Sequence, residues 1–456
     1  MLSLYEVIDR AMSGRYCSEQ EFDMEVLVPK VQEVVSKYKI KYDPENPIPS
    51  DDDLADRVFQ AGFELYRDVG AYCPDTERIM RFSEEELRQA LVEAPSAPVF
   101  GEGKDTRIML ARKPESEAAP FCFLGAGGAA VSNEELYASI MEAYASFIPL
   151  ADSITAPSIA FINGRAVRTG SPLEVLATIR ATVLGREALR RGGRPGLPIL
   201  NGIATAGSDT AKIAGSQFGL RPSDSLAIGT TAELKLDFQR FNEIAYVTTL
   251  GGHVLAETAP ILGGYCGGPE GTAVLNVAYH LNGIIVQRGS FQLTFPIHFK
   301  YGCTTTRDVT WAVSVSSQAI GRNSHFPLII LSYGAAGPMT EMIFHEIAAA
   351  TITSVVSGAG IEFGGVAKAT HIDHFTPMEP RFASNVAHAV VGMTRQEANR
   401  MVKKLLDKYE GNMKNPPLGK KYVECWDIHR KTPNSDYVDF DKNMRKELID
   451  LGIPLR

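Results

Sequence analysis

An alternation of short apolar runs with amphipathic helices, between residues 98 and 370, constrains the fold most strongly. The apolar runs are typical of buried strands, and nearly all end in glycine or another small residue. The candidate strands are 121–125, 154–163, 197–202, 225–229, 245–251, 283–287, 327–334 and 364–370. Eight strand–helix units in about 270 residues match a (β/α)8 barrel, whose usual size is about 250 residues. A doubly wound open sheet uses the same alternation of strands and helices. The small-residue loops favour the barrel, because in a barrel the loops after all eight strands meet on one face.

Helical, charged segments flank this alternation on both sides. Ser83 with Glu86, and Thr394 with Glu397, have the spacing of capping boxes at helix starts. We predict an N-terminal helical region (1–97), the barrel (98–383) and a C-terminal helical segment packed on it (384–456).

Composition excludes several classes of function. The net charge is −8, and no Lys/Arg run marks a nucleic-acid surface. The six cysteines stand far apart, as expected of reduced thiols rather than of a disulfide framework. No apolar run reaches the roughly 18 residues that a membrane span needs, and the first residues do not form a signal peptide. We therefore expect a soluble, cytoplasmic protein that binds neither nucleic acid nor membrane.

A glycine-rich segment, residues 250–271, contains a candidate site residue. Seven glycines surround Glu257 and Tyr265, and a loop of this length is uncommon without a function. Glu257 is the only acid between Glu243 and Glu270, and a dry, unpaired carboxylate is costly, so we expect it to meet a cation or donor. The alternative is a solvent-exposed or salt-bridged Glu257.

Two further segments end in polar side chains. Arg307 follows three threonines before a helix, which is typical either of an anion site or of a helix start with a structural ion pair. Tyr333 follows the strongest apolar run, 328–331, by two residues. By strand alternation its ring points either to the barrel mouth or into the core.

Two local patterns suggest other ligands. Residues 123–130 fit the GxGxxA outline of a dinucleotide site, but the next predicted helix begins only at Ser132, beyond the glycines. His371, Asp373 and His374 offer metal ligands without a third His or Cys at metal spacing. We therefore predict no resident metal.

Several stretches together resemble the monomethylamine methyltransferase family of methylotrophic methanogens. They lie in the same order along the chain and cover essentially all of it. The matching stretches are residues 59–63, 72–78, 171–176, 193–196, 263–268, 302–307, 337–342, 378–381 and 448–452.

The resemblance implies a (β/α)8 barrel in a homo-oligomer. It also implies transfer of a methyl group from a methylamine to the cobalt of a separate corrinoid protein, with no tightly bound cofactor in the chain itself. Glu257 falls where the family has a glutamate beside the substrate, and Tyr333 where it has a site tyrosine.

The chain departs from the family at pyrrolysine, whose imine is thought to capture the amine. The position just after the Gly-Arg-Pro-Gly turn holds Pro198, or Asn201 if the loop is aligned three residues later, and Leu331 replaces a glutamine. Neither Pro198 nor Asn201 has an electrophilic carbon that could capture an amine. We therefore expect a quaternary or other methylated amine as substrate rather than monomethylamine.

In this hypothesis Tyr265 helps to shape the pocket, and Arg307 binds an anionic tail. The alternatives are a barrel enzyme of lyase or isomerase type and a non-catalytic relative.

Overall fold

Eight parallel strands form a nearly closed barrel in the computed structural model, which describes residues 2–201, 203–363 and 371–455. In chain order, β1 to β8 are Cys122–Gly125, Ser153–Thr155, Ile199–Asn201, Ser225–Gly229, His253–Thr258, Phe291–Thr294, Leu328–Ser332 and Gly360–Phe363. The hydrogen-bonded order is β3-β2-β1-β8-β7-β6-β5-β4. Between β3 and β4 the Asp224 carboxylate accepts the Ile199 N–H at 2.8 Å, and the Ser225 hydroxyl donates to the Leu200 carbonyl. The predicted (β/α)8 barrel is confirmed.

One helix follows each strand and covers the outside of the barrel. These helices are Glu134–Phe147, Pro172–Arg191, Asp209–Ser216, Phe238–Thr249, Pro269–Ile285, Arg307–Asn323, Glu341–Val356 and Met378–Ala389. Ser171 and Thr340 accept backbone N–H bonds as N-caps, as their side-chain chemistry predicts.

Two predicted strands are wrong, because both segments are helical. Residues 245–251 end the helix Phe238–Thr249, where the Thr249 hydroxyl donates to the Ala245 carbonyl at 2.7 Å and Gly251 adopts a φ of 68°. Residues 283–287 end the helix Pro269–Ile285, which is buried from Gly271 onward. A short apolar run in the sequence is compatible with either a strand or a buried helix. The strands lie a few residues later, and the predicted strand 364–370 lies outside the described residues.

A hairpin closes the N-terminal end of the barrel. Its strands are Val99–Phe100 and Arg107–Ile108. The buried Phe100 ring lies 5.5 Å from the Phe291 ring and 4.6 Å from the His253 ring, centroid to centroid. Large aromatic side chains therefore fill this end of the barrel.

Short strands form a second tier above the opposite end, the mouth. Ala130–Val131 pairs with Ser158–Ile159, and Ile261–Leu262 pairs with Ile297–His298. These pairs join the loops after β1 and β2 and the loops after β5 and β6. The loop after β2 also carries a hairpin of Phe161–Ile162 and Arg165–Ala166.

The flanking regions pack on the barrel helices. Gly62 lets Asp52–Val69 approach Pro269–Ile285 closely, since a Cβ there would lie 2.5 Å from the Val277 Cβ. The predicted limit at residue 383 falls inside Met378–Ala389, and the domain limits stay a prediction.

The flanking regions also contain the following elements. The N-terminal helices and helical turns are Leu4–Ser13, Glu19–Glu21, Phe22–Leu27, Val28–Lys37, Asp52–Val69, Glu84–Glu93 and Gly103–Asp105. C-terminal ones are Arg395–Tyr409, Glu410–Asn412, Tyr422–Cys425 and Ser435–Asp450. The remaining short strands are Arg15–Tyr16, Ala71–Cys73, Arg78–Met80, Trp426–Asp427 and Thr432–Pro433.

Candidate functional site

Glu257 lies near the C-terminal end of β5, inside the barrel mouth. It follows the buried Leu255 by two residues and so points into the barrel. A Cβ added at Gly229, its neighbour on β4, would lie 3.5 Å from the Glu257 Oε2 atom. Glu257 is half-buried, so water reaches it even though strands surround it. Its prediction as a loop residue is wrong, because the strand begins at His253.

The Glu257 carboxylate has no hydrogen bond or ion pair within the described residues. Burial raises the pKa of Glu257, and the charges of Lys212 and Arg240 oppose this shift. Lys212 itself is bound elsewhere, since its Nζ donates to the Ala227 carbonyl at 3.0 Å and to the Glu243 Oε2 atom at 3.1 Å. Glu257 is therefore an acceptor open to an incoming cation or donor.

Two aromatic rings lie at the same end of the barrel. The Phe295 and Tyr333 rings meet edge to face, with centroids 5.8 Å apart, and both residues are half-buried. The Tyr333 hydroxyl donates to the Gly127 carbonyl at 2.7 Å. Its backbone N–H donates to the Thr304 hydroxyl at 2.9 Å. Hydrogen bonds at both ends thus fix the orientation of Tyr333.

A buried glutamate anchors the loop that follows Tyr333. Glu346 accepts the N–H groups of Ala335 and Ala336 at 2.6 and 2.9 Å and the Thr305 hydroxyl at 2.5 Å. Burial raises the pKa of Glu346 to about 7, against the effect of these donors. This carboxyl group holds the loops after β6 and β7 together below the mouth.

Glu362 on β8 is a second acid of the barrel interior, which the sequence reasoning missed. It pairs in register with Leu331 on β7 and Phe123 on β1, both in the interior cluster, so it also points inward. Neither carboxylate oxygen has a hydrogen-bond partner within the described residues, and the same holds for the hydroxyls of Ser153 and Thr155 on β2. The only sequence signal is a lone acid in an apolar run.

The surroundings of Glu362 favour its protonated form. Burial raises its pKa well above the usual value, and the charge at Glu257 raises it further. Thr155 lowers this pKa slightly, although its hydroxyl is not in hydrogen-bonding geometry.

The other predicted site residues lie at different levels. Leu331 is in the interior core, 2% exposed. Asn201 ends β3 at the mouth, where its carbonyl accepts the Ala156 N–H at 3.0 Å. Pro198 lies at the N-terminal end of the barrel, next to the closing hairpin. A Cβ added at Gly101 of that hairpin would lie 2.9 Å from the Pro198 Cδ atom. Of the two residues considered in place of pyrrolysine, only Asn201 is at the mouth.

The structure does not bring Tyr265 and Arg307 to Glu257. The Tyr265 ring is 41% exposed on the loop after β5, with the Lys235 Nζ 5.7 Å from its centroid. The Arg307 guanidinium donates to Asp407 and Glu410 of the C-terminal region at 2.9 Å each. Arg307 therefore has the structural ion pair that was its alternative interpretation.

The two patterns for other ligands have local roles. Gly127 accepts the Tyr333 hydroxyl, and the next helix starts beyond it at Glu134, capped by Asn133. The Asp373 Oδ1 atom accepts the Ser132 N–H at 2.8 Å. In the ranges 2–201, 203–363 and 371–455, no group of three or more His, Cys, Asp or Glu residues is arranged to hold a metal ion, and no helix is long and apolar enough to span a membrane.

Comparisons with known proteins find one family along the whole chain. A family model described as monomethylamine methyltransferase MtmB matches residues 2–453. Monomethylamine methyltransferase MtmB3 of Methanosarcina barkeri (strain Fusaro) is 33% identical over 98% of both chains, and MtmB of Methanosarcina mazei is 32% identical over 98% of both. The crystal structure of Methanosarcina barkeri MtmB is 31% identical, covers 99% of this chain and 98% of that one, and superposes with a TM-score of 0.94. A structure of the hydroxylamine MtmB complex matches equally well.

Proposed function

Because the chain belongs to the monomethylamine methyltransferase family and is a methyltransferase, we propose that it transfers a methyl group from a cationic methylated amine to a corrinoid protein. The amine binds in the barrel mouth against Glu257, Phe295 and Tyr333. The acceptor is the Co(I) centre of a partner protein, so the chain itself holds no cofactor.

The observation that carries this proposal is one open carboxylate at the same end of the barrel as two aromatic rings. Glu257 has no partner within the described residues, and Phe295 and Tyr333 present ring surface at the same end of the barrel. A carboxylate supplies the counter-charge for an ammonium group, and ring faces attract methylated cations through their quadrupole. In a mouth of low dielectric both attractions are stronger than in water.

The reaction requires positioning more than acid–base chemistry. Co(I) donates an electron pair to the methyl carbon while the C–N bond breaks, and the bonding pair stays on nitrogen, which leaves as a neutral amine. Only a cationic nitrogen leaves easily. Glu257 and the rings would keep the nitrogen cationic and align the methyl group with the open mouth, which is catalysis by orientation and electrostatics.

The residues around the mouth favour an amine that needs no covalent capture. Asn201, at the end of β3, has no electrophilic carbon, and Leu331 gives the interior an apolar wall. A quaternary ammonium is already activated as a leaving group, so we propose a quaternary or other cationic methylated amine as substrate. Arg307 is bound to Asp407 and Glu410, so a carboxylate tail is not required for recognition.

The test follows methylation of a corrinoid protein by absorption spectroscopy. The protein is loaded with cob(I)alamin and mixed with the enzyme and one of tetramethylammonium, glycine betaine, trimethylamine or monomethylamine. Free cob(I)alamin serves as a second acceptor. We expect loss of the Co(I) absorption with a quaternary amine and none with monomethylamine.

Two results contradict this proposal. Turnover with monomethylamine alone would show that another group replaces pyrrolysine in activating the amine. If no amine caused loss of the Co(I) absorption with either acceptor, the proposed methyl transfer would be wrong.

A further inference from the structure

The rim of the mouth carries three segments, the rim segments, that contain basic and aromatic residues and no acid. They are residues 163–170 after β2, 263–268 after β5 and 299–302 after β6. Their charged residues are Arg165, Arg168 and Lys300, although the whole chain has a net charge of −8. The rim segments are therefore positive against an acidic background.

These cations are free to meet an outside partner. Arg165 and Arg168 are exposed, and within the ranges 2–201, 203–363 and 371–455 their side chains form no ion pair or hydrogen bond. The Lys300 Nζ lies 5.3 Å from the Tyr301 ring centroid and has no acidic partner in the same ranges. Long-range attraction by such charges raises the rate at which an oppositely charged protein associates.

The aromatic part of the rim is held by backbone pairing. The Phe299 side chain is 75% exposed, yet its N–H donates to the Leu262 carbonyl at 2.9 Å. A Cβ on Gly263 would touch the Phe299 Cβ at 3.4 Å, so the two loops lie side by side. Exposed aromatic side chains on a fixed backbone are typical anchors of protein interfaces.

The rim segments stand on opposite sides of the mouth. The strands β2 and β6 are four strands apart in the eight-stranded ring, so their loops face each other across the mouth. A macromolecule placed over the mouth would contact both and would cover the path to Glu257.

We propose that the rim segments are the docking surface for the methyl-accepting corrinoid protein. Its acidic surface faces Arg165 and Arg168, and its apolar surface faces Phe299. The identity of the partner rests on the proposed function.

The test measures binding without any methyl donor. The probe is the corrinoid protein that serves the Methanosarcina barkeri monomethylamine methyltransferases, loaded with hydroxocobalamin, and its Kd is measured by calorimetry at low and moderate salt. We expect Arg165→Glu/Arg168→Glu and Phe299→Ser each to weaken binding about tenfold or more. Salt should weaken binding to the wild type more than to the double variant, because the charge attraction is screened.

Matched controls place the same changes elsewhere. Arg400→Glu/Lys404→Glu makes the same charge change on the helix Arg395–Tyr409, and Phe218→Ser removes a 55% exposed ring near the N-terminal end of the barrel. Both controls should keep the wild-type Kd. All variants should methylate free cob(I)alamin at the wild-type rate, so a failed methyl-transfer assay and a failed docking surface give different results.

Three outcomes would overturn the docking surface. The first is a wild type that does not bind the probe, and the second is rim variants that bind as tightly as the controls. The third is a change of oligomeric state in Phe299→Ser, measured by sedimentation, because the rim would then be an interface between copies of this chain.

Discussion

Two glutamates of the barrel interior, Glu257 on β5 and Glu362 on β8, have opposite surroundings. Glu257 is half-buried at the same end of the barrel as the Phe295 and Tyr333 rings, and water reaches it. Glu362 is 1% exposed, and it lies in register between Leu331 and Phe123. The same side chain is thus an open acceptor on one wall and a dry acid on another.

This difference favours a charge at Glu257 over a charge at Glu362. Burial is the main cause of the raised pKa of both groups, and the charge at Glu257 adds to the shift at Glu362. Two carboxyl groups in one low-dielectric space avoid ionising together. We expect one negative charge, at Glu257, and one proton, at Glu362, which matches a substrate with a single positive charge.

The largest expected effect comes from removing the charge at Glu257. Glu257→Gln should lower kcat/KM for a cationic methylated amine by about 10² to 10³, because the cation loses the pre-positioned counter-charge of the mouth. Thermal unfolding should change little. Glu135→Gln, on the exposed face of the helix Glu134–Phe147, is the control, and a wild-type rate in Glu257→Gln would remove Glu257 from the site.

A second effect, with a defined pH dependence, should appear at Glu362. In the folded chain its raised pKa keeps the proton, whereas the unfolded chain loses it above the usual pKa of 4.5. The folded state then binds more protons than the unfolded state, so wild-type stability falls as pH rises, by up to about 1.4 kcal/mol per pH unit. The variant Glu362→Gln lacks this loss of stability. In urea unfolding, its stability relative to the wild type should therefore grow as the pH rises above the usual carboxyl pKa of 4.5. A pH-independent difference would mean that Glu362 is ionised in the folded protein.

The smallest effect, on the free energy of unfolding, is expected at Arg307, which lies away from Glu257 and Glu362. Arg307→Ala removes ion pairs with Asp407 and Glu410, whose carboxylates are largely exposed. It should therefore cost at most about 1 kcal/mol in the free energy of unfolding and leave turnover unchanged. Loss of activity confined to substrates with a carboxylate tail would instead place Arg307 at the mouth.

The barrel could be predicted from the sequence because strand and helix alternate with the right spacing. Residues 245–251 and 283–287 show the limit, since β-branched and apolar runs suit a strand or a buried helix equally. In both segments tertiary packing stabilises the helix, which local sequence alone does not show.

The site was predictable only in part, for a different reason. Glu257 and Tyr333 were predicted from their places in the chain, and both lie at the mouth. Phe295 and Glu362 depend instead on which way each strand residue points, and a one-residue change in register reverses that direction. Arg307 depends on Glu410, about a hundred residues later. Local sequence before a helix is the same whether an arginine meets a ligand or a distant carboxylate.

The hairpin that closes the N-terminal end of the barrel has a kinetic consequence. With Phe100 packed against Phe291 and His253, small molecules reach Glu257 from the mouth, where the proposed methyl acceptor would also dock. In the proposed reaction the amine therefore enters before the partner protein docks, and the demethylated amine leaves after it departs. If the partner docks there, binding and release follow a compulsory order, and excess partner protein should inhibit turnover by trapping the product.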